Sequence, residues 1–226
     1  MSLSHSPLIV RDGLVLCLDA ANPRSYPKSG TTWSDLVGTK SATFKNGAAF
    51  NAANGGGILF DGTNDYLSTN FDPLEIVGTN SVFSLCVYFN VSSIPSTSVF
   101  LGNVSGSGRY LIGIQNQSSS LYGYYNLNNV TNYGTSQSLM TLNTWNHFTI
   151  TYDDASLKSY VNGVLVQNVS TSAVGFVDWN NMVIGQWTSA SQLINGKISS
   201  MIHYNRELTA AEVLQNYNAI RGRYGI

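Results

Sequence analysis

Charge is scarce in this chain of 226 residues: Lys, Arg, Asp and Glu make up 10% of it, against about a quarter in ordinary soluble domains. Eleven basic residues face twelve acidic ones for a net charge of −1. No row of cations exists to neutralise a phosphate backbone, which argues against nucleic acid as a partner. Long apolar runs are missing too. Nothing approaches 18 consecutive residues, so no transmembrane helix and no membrane insertion are expected. The start, MSLSHSPLIVRDG, lacks the basic and apolar regions of a signal peptide. The expectation is a chain that stays where it is made or leaves as part of something larger. Cysteine is limited to Cys17 and Cys86, each inside an apolar run, as small buried thiols would be. Two cysteines leave one bridge open but make no disulfide framework.

Small polar residues take the place of charge: 24 Asn, 29 Ser, 17 Thr and 21 Gly. The hydrophobic share of 43% excludes a wholly disordered chain. Five Asn-x-Ser/Thr triplets, at Asn90, Asn103, Asn116, Asn129 and Asn168, are about the number chance gives at this composition, so they say nothing of glycosylation.

Period-two alternation runs through the chain. Phe83, Leu85, Val87, Phe89 and Val91 share one face of 82–91, with Ser84, Cys86, Tyr88 and Asn90 on the other. Phe148, Ile150 and Tyr152 alternate with Thr149 and Thr151 in 147–153. Such patterns predict half-buried strands, because a one-residue slip would turn the apolar set into water. Asn162-Gly163 between two β-prone runs predicts a hairpin on a type I′ turn. Further strands are expected at 13–18, 57–60, 97–102, 109–115, 121–125, 182–186 and 197–204. One helix is expected at about 209–221. Thr209 and Glu212 form a capping box, Val213, Leu214, Tyr217 and Ile220 an apolar stripe, and Gly222 a stop. Packed across one end of a sandwich, it would close the fold. Residues 1–12 read as an N-terminal arm and 13–226 as one all-β domain, a two-sheet antiparallel sandwich with that helix included.

Several segments in order resemble the laminin-G-like jelly rolls of the concanavalin A-like lectin/glucanase superfamily: GLVLCLDAANPRSYP at 13–27, SGTTWSDLVG at 29–38, FDGTNDYL at 60–67, FSLCVYF at 83–89, WNHFTITYDDASLKSYVNGVLV at 145–166, IGQW at 184–187 and NGKISSMIHYNRELTAAEVLQNYNA at 195–219. The opening LDAANPRSYP is similar to the form common in virion proteins of tailed bacteriophages. The resemblance implies a concanavalin A-like jelly roll of about a dozen strands. It also implies a non-enzymatic structural protein of a phage virion surface, a capsid decoration or tail-fibre component made in the host cytoplasm. Its partners would be other virion proteins, copies of itself in a trimer, and a cell-surface glycan. Relatives carry an acidic pair and an Arg where Ser199, Ser200 and Ile202 stand, so Ile202, together with Leu8 and Ile9 of the arm, is a candidate subunit contact. His203 replaces an aliphatic residue and reads as a satisfied core histidine.

Chemistry finds little support. Glucanase relatives deliver paired carboxylates from Glu-x-Asp-x-x-Glu on one strand. Here the three Glu, at 75, 207 and 212, lie in a loop, a turn and a helix cap. Asp153-Asp154 reads as a turn, and no nucleophile elbow supports a triad. The expectation is therefore no enzymatic activity and no required cofactor. A structural calcium has three candidate ligands, Asp19, Asp61 and Asp65, since calcium takes six to eight oxygens. The alternative is that Asp61 and Asp65 bond their own turn. For a glycan, apolar rings with neighbouring amides are offered by Tyr122, Tyr124, Tyr125, Asn126, Asn128 and Tyr133, with Trp179 and Trp187 in loop-like surroundings. A carbohydrate-binding, lectin-like module is the alternative to the virion reading, with a glycoside hydrolase behind it. The same residues suit a protein interface.

Overall fold

In a computed structural model, alternation becomes two stacked sheets. The structure describes residues 7–78, 81–94, 96–103, 110–117, 120–127, 130–133, 139–171, 181–187 and 192–226. The strands in chain order are β1 (Leu14–Asp19), β2 (Thr32–Ser34), β3 (Ser41–Lys45), β4 (Ala49–Asn51), β5 (Gly57–Asp61), β6 (Tyr66–Thr69), β7 (Phe83–Ser93) and β8 (Thr97–Asn103). They continue as β9 (Tyr110–Gln117), β10 (Ser120–Leu127), β11 (Val130–Tyr133), β12 (Asn146–Tyr152), β13 (Ser156–Val161), β14 (Val164–Ser170), β15 (Met182–Ile184) and β16 (Asn195–Tyr204). Two α-helices are described, α1 (Pro73–Val77) and α2 (Ala210–Ile220).

One sheet runs β14-β13-β12-β7-β16-β5-β4, with β1 also paired to β16; the other runs β11-β10-β9-β8-β15-β6-β3-β2. Every pairing is antiparallel. We call them the helix-bearing sheet and the open sheet. Their inner faces meet in one core that includes Leu85, Phe89, Phe100, Ile112 and Phe148. A polar tie crosses it: His203 Nε2 lies 2.7 Å from the Tyr110 hydroxyl on the opposite sheet. His203 is wholly buried against Phe83, as its core reading predicts.

The Asn162-Gly163 hairpin forms as predicted, joining β13 and β14 with φ of 51° and 80°. The predicted helix also forms, with both capping-box bonds between Thr209 and Glu212. Two details differ. The helix passes through Gly222 in a 3-10 turn, Arg221–Arg223. It also lies on the outer face of the helix-bearing sheet rather than across an end. There Val213 and Leu208 pack on Cys17, Cys86, Ile202 and Tyr204.

Strands β7 and β12 are therefore buried on both faces, not one. Ser84 among their outward polar residues is small and satisfied: its Oγ donates to Arg206 O and accepts from Leu208 N. Ile202, at 1% exposure, is covered by the chain's own helix; the expected subunit contact there is corrected. The arm docks on that helix too. Val10 N donates to Asn216 Oδ1 at 2.8 Å, and Gln215 Nε2 to Leu8 O at 2.7 Å. Ile9 is half-buried in the same cluster, while Leu8 stays exposed. Cys17 and Cys86 flank Ile202 from strands on either side of β16. A spacing of two strands, about 10 Å, is beyond disulfide reach, and both thiols are free.

Candidate functional site

The outer face of the open sheet is built by alternation in β9 and β10. Tyr122, Tyr124 and Asn126 point one way, opposite Gln115, Gly113 and Leu111. Strand β8 extends two of these rows with Thr97 and Val99. The face thus reads Tyr122–Gln115–Thr97, then Tyr124–Gly113–Val99. Trp187 joins the second row, packing on Val99, Leu111 and Tyr124. Gly113 is forced by the bulge in β8: a Cβ there would lie 2.1 Å from Ser98 O. The five adjoining strands β11, β10, β9, β8 and β15 contain no Asp, Glu, Lys, Arg or His. Tyr122, Gln115 and Trp187 are half-buried, and the Gln115 Oε1 acceptor has no protein partner.

The eight residues singled out for a glycan divide accordingly. Tyr122, Tyr124, Asn126 and Trp187 come together. Tyr124 and Asn126 are 7% and 3% exposed, so they support the face more than they present it. Tyr125 points the other way, into the core at 1% exposure; burial pushes its phenol well above the ordinary range. It is corrected to a core residue, as period two demands of a neighbour of Tyr124. Tyr133 pairs with Tyr124 at the backbone, its side chain lying outside the described residues, as do Asn128 and Trp179. Sequence reasoning missed Gln115 and Thr97, which only register brings opposite Tyr122.

The three candidate calcium ligands are otherwise engaged. Both Asp19 oxygens accept from Arg223, at 2.6 and 3.0 Å. Asp61 Oδ1 accepts from Thr63 N and Asn64 N, and Asp65 Oδ2 from Asp61 N. No cluster of three or more His, Cys, Asp or Glu placed for a metal occurs among the described residues. The Thr63 N–H, foremost among several bonds, holds Asp61 below its ordinary pKa, while burial raises Asp65. Opposed shifts in neighbouring carboxyls are an acid/base pattern, but here the turn itself uses both groups.

A second concavity lies on the helix-bearing sheet, beyond the end of α2. Two adjoining cavities of about 280 and 360 Å³ share Asn54, Asn90 and Asn143. Lys197 lines the first, and Trp145 and Tyr224 wall the second. The rings of Trp145 and Tyr224 are 4.4 Å apart.

The fold is a two-sheet antiparallel jelly roll. Residues 61–214, more than half of the chain, match a laminin-G family of the concanavalin A-like lectin/glucanases superfamily. The chain belongs to that superfamily. No curated protein matches the sequence. Among solved structures it is similar to domain 4 of AbnA, a GH43 extracellular arabinanase from Geobacillus stearothermophilus, in complex with arabinotriose. That likeness has a TM-score of 0.68 and 15% identity, and covers 92% of this chain and 100% of that one. It is similar also to Trypanosoma rangeli sialidase, with a TM-score of 0.67 and 18% identity over 97% of this chain and 37% of that one. The chain thus spans little more than a third of the sialidase's length.

At these identities the likeness is one of fold, yet it corrects two expectations. The neighbours that superpose on nearly the whole chain are parts of an arabinanase and a sialidase. The assignment to a phage virion surface therefore does not stand. Neither does the flat exclusion of enzymatic activity, which rested on the lack of a single-strand carboxylate motif, of an opposed Asp pair at Asp153-Asp154 and of a nucleophile elbow.

Proposed function

We propose that this domain recognises neutral oligosaccharides through the outer face of its open sheet. The observation that carries the reading is the row Tyr122–Gln115–Thr97 beside Trp187. It offers partly exposed rings for the apolar faces of sugars, with the half-buried Gln115 amide beside them for sugar hydroxyls and Thr97 buried behind it. Strands without charge suit an uncharged ligand, since no ion must be stripped of water on binding. A few placed polar groups among rings are the usual make-up of a small-ligand site. Superfamily membership and the arabinotriose complex of a similar domain add support.

Calorimetry with arabino-oligosaccharides and other neutral glycans tests this. Tyr122→Ala is expected to weaken binding about tenfold or more, as loss of an aromatic anchor does, with the melting temperature unchanged. A broad panel of neutral glycans with no binding, or binding indifferent to both Tyr122→Ala and Trp187→Ala, would falsify it.

A further inference from the structure

The cavities on the helix-bearing sheet differ chemically from the open sheet. Asn54, Asn90 and Asn143, common to both cavities, make no side-chain hydrogen bond among the described residues. Two of them have a local explanation. Asn54 and Asn143 adopt φ of 56° and 59°, a left-handed turn geometry that Asn tolerates. Asn90 has none. It stands inside β7, in a strand position that disfavours Asn, with a half-buried carboxamide facing the cavities.

Lys197 sits directly beside it. In β16 it pairs with Asn90 on one side and Leu59 on the other. Its ammonium donates to Asn51 Oδ1 at 2.9 Å and Ala53 O at 3.2 Å. Both acceptors are neutral, no carboxylate among the described residues pairs with it, and an ammonium has three donors, so one remains. Arg223 at the other end is already neutralised by Asp19. Among the described residues no Asp or Glu lines either cavity.

The geometry points to a second binding site here, for a carboxylate-bearing sugar such as a uronic acid unit. Lys197 would take the carboxylate, and the Asn90, Asn54 and Asn143 amides the ring hydroxyls. The combined space is on the scale of a small-ligand pocket. A charge-assisted bond of this kind is stronger than a neutral one, and pinning Lys197 by two acceptors lowers the entropy lost when it binds. The site is separate from the open sheet, and the inference does not depend on that face.

Titration with trigalacturonate and with its methyl ester, followed by calorimetry, decides it. The acid is expected to bind and the ester to bind at least about tenfold more weakly, with affinity for the acid falling as salt rises. Lys197→Met should cost about 10- to 100-fold. Asn90→Ala, which removes no protein hydrogen bond, should weaken binding several-fold without touching stability. Tyr122→Ala should leave acid binding intact. Absence of binding, equal affinity for acid and ester, or indifference to Asn90→Ala would overturn the assignment. Asn90→Ala keeps the test open should loss of Lys197 loosen the neighbouring edge strand.

Discussion

His147 and His203 have no exposed surface, and neither Nδ1 has a hydrogen-bond partner. His147 makes tilted ring contacts with Tyr88 and Tyr217, with Thr149 Oγ1 at 3.2 Å from Nε2. Burial pushes both imidazoles down to about 3. In the unfolded chain each would titrate near 6.5, so between 6.5 and 3 the unfolded state binds protons that the native state refuses. Stability must therefore fall as pH drops below 6.5. From pH 7.5 to 5.5 the two together should cost about 2–3 kcal/mol, in a range where carboxylates stay ionised in both states. Urea midpoints at these pH values check it; equal midpoints would mean that both rings take up protons when folded. Their burial was legible for His203, which stands in an apolar register. It was not for His147, whose polar neighbours Thr149 and Thr151 read as solvent-facing until a helix covers them.

At the scale of elements, α2 organises one whole side of the molecule. Asn216 is its hub, wholly buried: Oδ1 accepts from Val10 N, and Nδ2 donates to the Tyr204 hydroxyl at 3.0 Å. Asn216→Ala would strand a buried backbone donor and loosen a buried hydroxyl, at a cost on the order of 2 kcal/mol. The Val10 amide should then lose its protection from hydrogen exchange. Unchanged exchange and an unchanged midpoint would show that the arm is held by apolar contact alone.

The caps and the hairpin of this side could be read directly, because Thr209-x-x-Glu212 and Asn162-Gly163 are local signals. A second local signal, Asp72-Pro73-x-Glu75, was overlooked; it caps α1, and Glu75 sits in that helix rather than in a loop. The short strands β2, β3, β4, β6 and β11 gave too few residues for period two to register. Where α2 lands was not legible at all. Its stripe says that it buries a face, but not which sheet receives it.

At the scale of the molecule, the scarcity of charge seen in the sequence is spatially organised. The open sheet carries no charged residue in its strands from β11 through β15, while the ion pairs Arg206–Glu212, Lys158–Glu207 and Arg223–Asp19 lie around the helix-bearing sheet. Composition announced the low charge; only topology separates the neutral side from the charged one. The candidate site was half legible for the same reason. Alternation along β10 selects Tyr122, Tyr124 and Asn126 but also excludes Tyr125, and the pairing that brings Gln115 and Thr97 alongside depends on strand register.

The most direct test of glycan recognition by the neutral sheet is a ¹⁵N-resolved titration of the intact chain with a neutral oligosaccharide such as arabinotriose. Shifts confined to the β9 and β10 amides around Gln115 and Tyr122, with the Trp187 indole moving in step, are the predicted result. A saturating response located elsewhere, or none at millimolar sugar across neutral glycans, would contradict it.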